Sequence, residues 1–504
     1  MKDQDIVGQA LASVLPQHCQ FWFRIPHLLQ LNLILFIPLL SSAVAGYDGS
    51  LMNALQSIPE WKSYFNNPTG QVLGVVNAAQ SIGSVISLPA IGLLSDRIGR
   101  RWTLFSGAVT IIIASIIQAA AVNYGMFVFS RVLVGIGSML VVQPSPMLIT
   151  ELAFPTHRGK YTSAFWTMYY LGAIVASWTT YGTQKQLSSD WTWRVPSIVQ
   201  AGFPIVQILF FWAVPESPRW LIANNRPTEA KHLLAKYHTA GDESHPLIRF
   251  EMDEITRTIS IEQYAAQETK WSSLVSTPGN RKRTFIAVCV GCFAQWNGVA
   301  VVSYYLTLVL DTVGIRDADT QTLINGLLQI FNLIAAGSAA MLVDRLGRRT
   351  LFLWSAIGML ISFIIWTTCS ALFDSTQASP LGRTVIAFVF VFYFHYDIAY
   401  CPLLLAYPTE IFPYSIRSKG LTVELMGVYG SLIVLAFVNP IALGRIGWKY
   451  YIFFCCFDVL VLGVTWFMFP ETKGYSLEDI KVVFDGKRHE EEDGKDGVSA
   501  EHVE

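Results

Sequence analysis

Twelve long apolar stretches alternate with short polar segments along most of the chain. Each is about 20 residues long, the length that an α-helix needs to cross the hydrocarbon core of a bilayer. Backbone polar groups find no water in lipid, and these stretches lack the period-two alternation of barrel strands, so the pattern predicts membrane-spanning helices. The predicted spans 1 to 12 cover residues 28–47, 72–94, 102–122, 126–148, 161–181, 195–214, 285–310, 323–343, 351–372, 385–407, 421–442 and 450–469.

A polar stretch divides the predicted spans into two groups of six. It begins with a segment in which Pro227 precedes apolar residues at helical spacing, which predicts short amphipathic helices. We therefore expect an all-α membrane protein built from two six-helix bundles, with an acidic tail that is disordered. The expected segments are a cytoplasmic amino terminus at 1–27, the first bundle at 28–214, a cytoplasmic central loop at 215–284, the second bundle at 285–480 and a cytoplasmic tail at 481–504.

The pattern D-R-x-G-R-R occurs twice, at residues 96–101 and 344–349, and we call these segments the two arginine cassettes. Their first residues lie 248 positions apart in a chain of 504, which indicates a duplicated unit. Each cassette lies between two apolar stretches, where its glycine permits a tight turn. Its arginines can bind carboxylates of a neighbouring helix or lipid phosphates, so an ion-pair latch and a fixed membrane anchor are both open.

Basic residues follow the even-numbered spans, in both cassettes, in the central loop and at Arg158 and Arg417. The odd-numbered loops carry few of them. Because loops rich in lysine and arginine stay on the cytoplasmic side, both termini and the central loop are predicted to be cytoplasmic.

Composition supports a membrane protein, since 52% of the residues are hydrophobic and only 14% are charged. The net charge of −1 provides no basic surface for nucleic acid. The seven cysteines lack metal-ligand spacing, and the chain has no phosphate-binding loop or nucleophile elbow. We therefore expect a protein that is not an enzyme and that uses no cofactor.

Several further motifs accompany the cassettes in a fixed order. They are G-Y-D at 46–48, R-x-x-x-G-x-G at 131–137, P-x-x-x-x-E at 146–151, R-G at 158–159, P-E-S-P-R-W-L at 215–221 and P-E-T-K-G at 470–474. Together they resemble the sugar porter family of the major facilitator superfamily over roughly residues 28–480. The sequences of segments 151–159 and 302–306 most resemble those of the fungal branch that includes lactose permeases and hexose transporters.

The resemblance implies two bundles around a central cavity that rock between outward-open and inward-open states. It implies a monomeric secondary transporter in the cell membrane that moves a mono- or disaccharide, or a related polyol, together with protons. An uncoupled facilitator, a metabolite exporter on the same scaffold and a non-transporting sugar sensor are the alternatives.

Charged residues inside the bilayer are costly and are therefore functional candidates. The resemblance assigns proton coupling to Asp48 and Arg131, for which a static ion pair and an arginine that extends to the interface are the alternatives. It also suggests ion pairs at the cytoplasmic ends of the spans, which would close the inner side in one state. The expected gating residues are Arg97, Glu151, Arg158, Arg345, Glu410 and Arg417.

Sugar recognition needs neutral amides and aromatic rings in a concave pocket. By resemblance the substrate-binding candidates are Gln295, Asn332, Tyr304, Tyr305, Asp397 and Tyr429. Other sugar-binding positions of the family differ here, because Trp166 and Leu405 stand near an expected glutamine and an expected tryptophan. These departures favour a larger, less polar or differently oriented ligand than a typical hexose. His395 is interpreted as a packing residue.

Overall fold

The computed structural model describes residues 11, 13–16, 22–268, 270–473, 480 and 483–485, without the side chains at 163, 262–268, 340–345 and 414. Within that part of the chain the regular structure is entirely helical and contains no strand. Most of the predicted tail at 481–504, and much of the predicted terminal segment at 1–27, lie outside the described residues.

Twelve helical spans form two six-helix bundles, which confirms the predicted fold class. The first bundle contains span 1 (Pro26–Leu55), span 2 (Gly70–Ile98), span 3 (Arg100–Ala119), span 4 (Tyr124–Val142 and Pro144–Leu152), span 5 (Arg158–Gln186) and span 6 (Trp191–Val199 and Gly202–Leu209). The second contains span 7 (Pro278–Trp296 and Val299–Thr312), span 8 (Ala318–Leu346), span 9 (Arg348–Thr376), span 10 (Ser379–Ile411), span 11 (Arg417–Ile446) and span 12 (Tyr450–Met468).

Among the described residues, ten segments are long and apolar enough to cross a membrane, and one of them, Arg417–Met468, comprises both span 11 and span 12. These ten segments therefore account for eleven of the twelve spans. The remaining one is span 5, which is less apolar than the others. Its sequence is rich in threonine, tyrosine and tryptophan, and several of these side chains line the central cavity described below.

The central loop folds into helices at Pro218–Ala223, Pro227–His238, Pro246–Glu268 and Ser273–Ser276. Pro246–Glu268 has 23 residues, so it is longer than the short helices that the pattern predicts. A short helix at Pro59–Tyr64 follows span 1 on the opposite side of the membrane. Four 3-10 turns complete the regular structure of the described residues, at Trp22–Arg24, Phe211–Ala213, Tyr414–Ile416 and Gly447–Lys449.

Span 7 is interrupted twice, and both interruptions lie beside the cavity. Gly298 has a φ of 99°, which L-residues with a side chain adopt at a cost, and it separates the two helices of the span. Seven residues later Tyr305 has φ −140° and ψ 27° and produces a kink. Irregular backbone at membrane depth occurs where protein or a cavity surrounds it, which is the situation here.

Close helix packing brings the site residues together. Spans 1 and 5 cross at Gly46 and Gly172, where a Cβ atom would lie 1.8 Å from the carbonyl oxygens of Tyr169 and Ala43. Only glycine permits this approach, which fixes Asp48, two residues after Gly46, beside the tyrosines of span 5. Between the bundles, span 2 packs against span 11 and span 5 packs against span 8.

Candidate functional site

A buried ion pair joins span 1 to span 4. Arg131 Nη1 donates to Asp48 Oδ1 in a short contact, and Arg131 Nη2 donates to Asp48 Oδ2 at 3.1 Å. The side chain of Asp48 is fully buried and that of Arg131 is 1% exposed. A bidentate, buried guanidinium cannot also extend to the lipid headgroups, so the structure argues against the interfacial alternative for Arg131.

A glutamine of span 6, which the sequence reasoning missed, extends this pair. Gln200 Nε2 donates to Asp48 Oδ1 at 2.9 Å, and Gln118 Nε2 of span 3 donates to Gln200 Oε1 at 3.3 Å. Gln118 and Gln200 are both fully buried. The Asp48 carboxylate therefore accepts hydrogen bonds from two other spans of its own bundle. An amide inside an apolar stretch was the only sequence signal for Gln200, and no motif marked it.

A central cavity of about 240 Å³ lies between the two bundles. Among the substrate-binding candidates, Gln295, Tyr304 and Tyr429 line it. Trp166 and Leu405, which depart from the family pattern, line it too. Further wall residues that the sequence reasoning missed are Gln80, Gln329, Tyr169, Tyr170, Tyr393, Tyr396, Tyr400 and Cys401.

The amides of the cavity wall come from both bundles. Gln80 belongs to span 2 and Gln295 to span 7, and neither side chain makes a hydrogen bond to a residue that the structure describes. Gln329 of span 8 is engaged, because its Nε2 donates to Asn325 Oδ1 at 3.2 Å. Gln80 and Gln295 can therefore offer donors and acceptors to a ligand from opposite sides of the cavity.

Three substrate-binding candidates lie off the cavity wall. Asn332 is fully buried, and its amide makes no hydrogen bond to any described residue, while Gln329 occupies the wall one turn earlier. Tyr305 is buried behind the wall and donates to Ala436 O at 2.6 Å. Asp397 is also buried, and its Oδ1 accepts from Tyr170 Oη at 2.5 Å. The resemblance suggested that these residues contact the substrate, but it could not determine which helix face meets the cavity.

His395 packs as expected. Its Nδ1 lies 2.8 Å from Val391 O, and its ring fills the space left by Gly358 of span 9.

On the side of the cavity away from the arginine cassettes, which is the predicted outer side, the two bundles are joined by hydrogen bonds from span 1 to the kinked part of span 7. Asn53 Nδ2 donates to Val302 O at 3.3 Å, and Asn53 Oδ1 accepts from Leu306 N at 3.1 Å. Val302 and Leu306 are the i and i+4 positions of a helix turn. The Asn53 amide therefore contacts both the carbonyl and the N–H group of one such pair beside the kink. Gln56 Nε2 donates to Tyr304 O at 2.8 Å. We call these contacts the outer junction.

At the opposite ends of the spans, which are the predicted cytoplasmic ends, the two arginine cassettes have the same geometry. Gly99 and Gly347 have φ values of 97° and 91°, and each is followed by two backbone N–H groups that bind a glutamate. In the first bundle the N–H groups of Arg100 and Arg101 donate to Glu216, and in the second those of Arg348 and Arg349 donate to Glu471. The cassettes are therefore built as symmetry-related turns that each capture the carboxylate that follows the last span of the bundle.

The match between the cassettes extends to the fifth residue of the pattern, an arginine that contacts the glutamate at the end of span 4 or span 10. Arg100 Nε lies 3.7 Å from Glu151 Oε2, and Arg348 Nη2 lies 3.0 Å from Glu410 Oε1. Ser217 donates to Glu151, and Thr472 donates to Glu410, in short contacts. All of these bonds stay within one bundle.

The assignment of the gating arginines needs a correction. We expected Arg97 and Arg345 to pair with the acidic residues, but Arg97 is exposed and forms no ion pair within the described part of the chain, and Arg100 takes the position beside Glu151. The reason is the turn at Gly99, which directs the residue after it back toward span 4. The side chain of Arg345 lies outside the described residues.

The gating candidates Arg158 and Arg417 are the first residues of spans 5 and 11. Arg158 Nη2 donates to Glu251 Oε1 of the central loop at 3.0 Å, and Arg417 Nη2 donates to Phe412 O at 3.3 Å. Glu251 also contacts His238, with 2.7 Å between Glu251 Oε2 and His238 Nδ1. Burial raises the pKa of Glu251, but His238 and Arg158 lower it by more, so the carboxyl group has a pKa below its usual value.

Comparison with known proteins agrees with this architecture. A family model described as "Sugar (and other) transporter" matches residues 34–484. The chain is 29% identical over 427 residues to the low-affinity glucose transporter HXT1 of Saccharomyces cerevisiae, which covers 82% of this chain and 73% of the relative. It is 26% identical over 446 residues to the MFS-type transporter criB of Aspergillus cristatus, which covers 88% of this chain and 91% of the relative.

Among solved structures, the chain is similar to the inward-open conformation of the xylose transporter XylE from E. coli. The TM-score is 0.76 at 24% sequence identity, and the match covers 90% of this chain and 100% of that chain. These relatives are transporters rather than enzymes, and the two matched by sequence are fungal. Because the family model spans most of its length, the chain belongs to the sugar (and other) transporter family and has the major facilitator fold.

Proposed function

We propose that this protein moves a sugar or a related polyol across the cell membrane together with protons, by alternating access of the central cavity to the two sides. The observation that carries the proposal is the buried Asp48–Arg131 pair, because its carboxylate lies one residue before Gly49, which lines the cavity. The protein acts as a monomer with both termini in the cytoplasm. It needs no cofactor, and the proton is its coupling ion.

The coupling step uses the balance of charges within the first bundle. While Asp48 is ionised, it offsets the cost of burying Arg131 and accepts a hydrogen bond from Gln200. Protonation of Asp48 removes the ion pair, which leaves a buried positive charge, and breaking such a pair costs about 3–5 kcal/mol. A new hydrogen-bond acceptor for Arg131 then lowers the free energy of the buried guanidinium, so spans 1 and 4 can rearrange.

The cavity supports a small polar substrate. Its volume of about 240 Å³ in this conformation lies below the roughly 300–1,000 Å³ that is typical of sites for drug-sized ligands. A monosaccharide or a linear polyol therefore suits it better than a disaccharide. Gln80 and Gln295 can bind hydroxyl groups from both bundles, and the tyrosine rings of spans 5 and 10 can pack against the apolar faces of a sugar ring.

A second candidate function is the export of a less polar metabolite. The cavity favours it in one respect, since tyrosines outnumber free amides on the wall and Trp166, near the glutamine that the family pattern leads one to expect, also lines the wall. An uncoupled sugar facilitator is the third possibility, and it differs from our proposal only in the role of Asp48.

The test of coupling is substrate-induced proton uptake in reconstituted vesicles, with a panel of labelled monosaccharides and polyols. We expect the medium to become alkaline when substrate enters through the wild-type protein. Asp48→Asn should abolish accumulation against a gradient and leave exchange in place, whereas Arg131→Ala should damage both. Substrate movement without alkalinisation, or uphill accumulation by Asp48→Asn, would contradict proton symport and favour a facilitator or an exporter.

The test of the substrate site uses the two free amides. Gln80→Ala and Gln295→Ala should each weaken apparent affinity by roughly 2- to 15-fold, because a hydrogen bond to an uncharged partner contributes about 0.5–1.5 kcal/mol. Asn224→Ala, which changes an exposed amide of the central loop, is the control. Unchanged sugar affinity in both cavity variants would place recognition elsewhere.

A further inference from the structure

The second bundle contains three buried acidic side chains that differ from Asp48. Asp397 of span 10, Glu424 of span 11 and Asp458 of span 12 are all fully buried. None of them forms an ion pair with a residue that the structure describes, whereas Asp48 has Arg131. The buried carboxyl group of the first bundle therefore has a cationic partner, whereas the three buried carboxyl groups of the second bundle have none among the described residues.

A carboxylate without a cation cannot remain ionised cheaply in this environment. Transfer of an isolated charge into an apolar interior is so unfavourable that the group takes up a proton instead. The groups around Asp397 do not change this, because they are Tyr170 of span 5 and Tyr393, Tyr396 and Cys401 of span 10, none of which carries a positive charge. Asp397 is therefore neutral in this conformation.

Within the described residues, Asp397 is the only one of the three acids that has a hydrogen-bond partner in the other bundle. Tyr170 Oη donates to Asp397 Oδ1 at 2.5 Å, and Asp397 Oδ2 makes no hydrogen bond to a described residue. Glu424 and Asp458 make no hydrogen bond to any described side chain. When the bundles rock apart, the bond between span 5 and span 10 has to break, whereas no such bond ties Glu424 or Asp458 to the moving interface.

Asp397 also lies close to the water-filled path that rocking would create. Tyr170, Tyr393, Tyr396 and Cys401 all line the cavity, and Asp397 lies directly behind them. Separation of Tyr170 from Asp397 would expose the carboxyl group to the cavity. Once water reaches it, the ionised form is no longer penalised by burial.

We propose that Asp397 is a second proton-binding site, located in the second bundle, which holds its proton while Tyr170 bonds it across the cavity and releases the proton when spans 5 and 10 separate. This assigns Asp397 a role different from the substrate contact that the resemblance suggested, and its position behind the cavity wall supports the change. The release step rests on the proposed proton-coupled transport, whereas the protonation of Asp397 in the resting protein does not.

The first experiment measures protonation directly, by infrared spectroscopy of the full-length protein in lipid nanodiscs at neutral pH. Asp397→Asn is close in shape and still accepts the bond from Tyr170, so the fold should be retained. We expect the variant to lose one carbonyl band of a protonated carboxyl group. Loss of a carboxylate band instead would overturn the proposal, and this readout is independent of whether the protein pumps protons.

The second experiment measures the proton-to-substrate ratio in vesicles. Asp397→Asn should lower the ratio relative to the wild type, because one proton per cycle is no longer exchanged. Asp458→Asn is the matched control, since it removes a buried, unpaired acid that has no bond to the other bundle, and it should leave the ratio unchanged. An unchanged ratio in Asp397→Asn, or an equal loss in Asp458→Asn, would overturn release from Asp397. Failure of symport itself would instead appear as no proton movement in the wild type.

Discussion

At the predicted outer end of the molecule, hydrogen bonds run from one six-helix bundle to the other, whereas the two arginine cassettes at the predicted cytoplasmic end bond within their own bundles. Asn53 and Gln56 bind the kinked backbone of span 7 across the boundary. Arg100 and Arg348 bind Glu151 and Glu410 of their own bundle. The outer contacts are thus of the kind that must break during rocking, while the cassette contacts can persist through it.

This difference assigns separate roles to the two ends. The cassettes hold three parts of each bundle together, namely the turn between the second and third spans of the bundle, the end of its fourth span and the segment after its last span. Each bundle can then move as a rigid unit. The outer junction, by contrast, ties span 1 to span 7 across the boundary between the bundles, and we expect it to keep the cavity closed on that side. At the cassettes, the contacts of Arg100 and Arg348 with Glu151 and Glu410 join parts of the same bundle, which differs from the expected latch between the two bundles.

The largest effect should come from removing the amide that joins span 1 to span 7. Asn53→Ala leaves Val302 O and Leu306 N without this partner, and an unsatisfied buried group costs about 1–3 kcal/mol. We expect the outward-open state to gain population by about tenfold or more. The measurement is labelling of Cys401, which lines the cavity, by a membrane-impermeant thiol reagent from outside, with Cys401→Ser as the background control.

Labelling no faster than in the wild type would show that the outer junction does not keep the cavity closed. Asn224→Ala, which alters an exposed amide of the central loop, controls for a general effect of losing an asparagine.

Breaking a cassette should destabilise a bundle without opening the outer side. Arg348→Ala removes a charge-assisted contact to Glu410, which contributes about 1.5–3 kcal/mol when largely buried. We expect a lower melting temperature of the purified protein and unchanged labelling of Cys401 from outside. Arg97→Ala is the matched control, because that side chain is exposed and its loss should change stability by less than about 0.5 kcal/mol. Faster outside labelling in Arg348→Ala would contradict the separation of roles.

Much of the fold could be predicted from the sequence, because lipid leaves so few choices. A backbone in hydrocarbon has to satisfy its own hydrogen bonds, so each apolar stretch of sufficient length becomes a helix. The repeated cassette then revealed two related halves. Arg131 could be identified because a charge inside an apolar stretch is rare and costly. Asp48, one residue past the predicted first span, was identified through the G-Y-D motif, and the family resemblance implied its pairing with Arg131.

The details of the site were harder to predict, because the sequence does not show which face of a helix meets the cavity and because neutral side chains give no charge signal. Three arginines share each cassette, and only the turn at Gly99 determines that Arg100, and not Arg97, is directed toward Glu151. Neutral amides such as Gln80 and Gln200 produce no charge signal. Asn332 and Gln329 lie one turn apart on span 8, and their spacing alone could not show which of them faces the cavity.

A smaller effect should distinguish the two glutamates that the cassettes bind. Burial raises the pKa of Glu216, and hydrogen bonds from the backbone of Ser217, Arg101 and Arg100 offset this only in part. Burial also raises the pKa of Glu471, but backbone N–H groups lower it by more, so its pKa lies below the usual value. The ionised form is therefore stabilised by folding at Glu471 and disfavoured by it at Glu216.

At neutral pH, Glu471→Gln should therefore cost more stability than Glu216→Gln. The contribution of Glu471 is present above the pKa of the unfolded chain and is lost as the pH falls through the folded pKa, so the two variants should converge in acid. Melting temperatures of both variants over a pH series measure this. An equal cost at neutral pH would mean that the two symmetry-related turns bind their carboxylates equally well.

The smallest effect should come from the exposed ion pair at the outer end. Lys185 Nζ of span 5 lies 2.8 Å from Asp319 Oδ2 of span 8, so this contact also crosses between the bundles. Both side chains are more than a third exposed, and water and salt weaken such pairs. Lys185→Ala should raise the outside labelling of Cys401 by less than about twofold, and the difference should disappear at high ionic strength. If its effect instead equalled that of Asn53→Ala and persisted in salt, closure of the outer side would depend on surface charge rather than on the buried amide contacts to span 7.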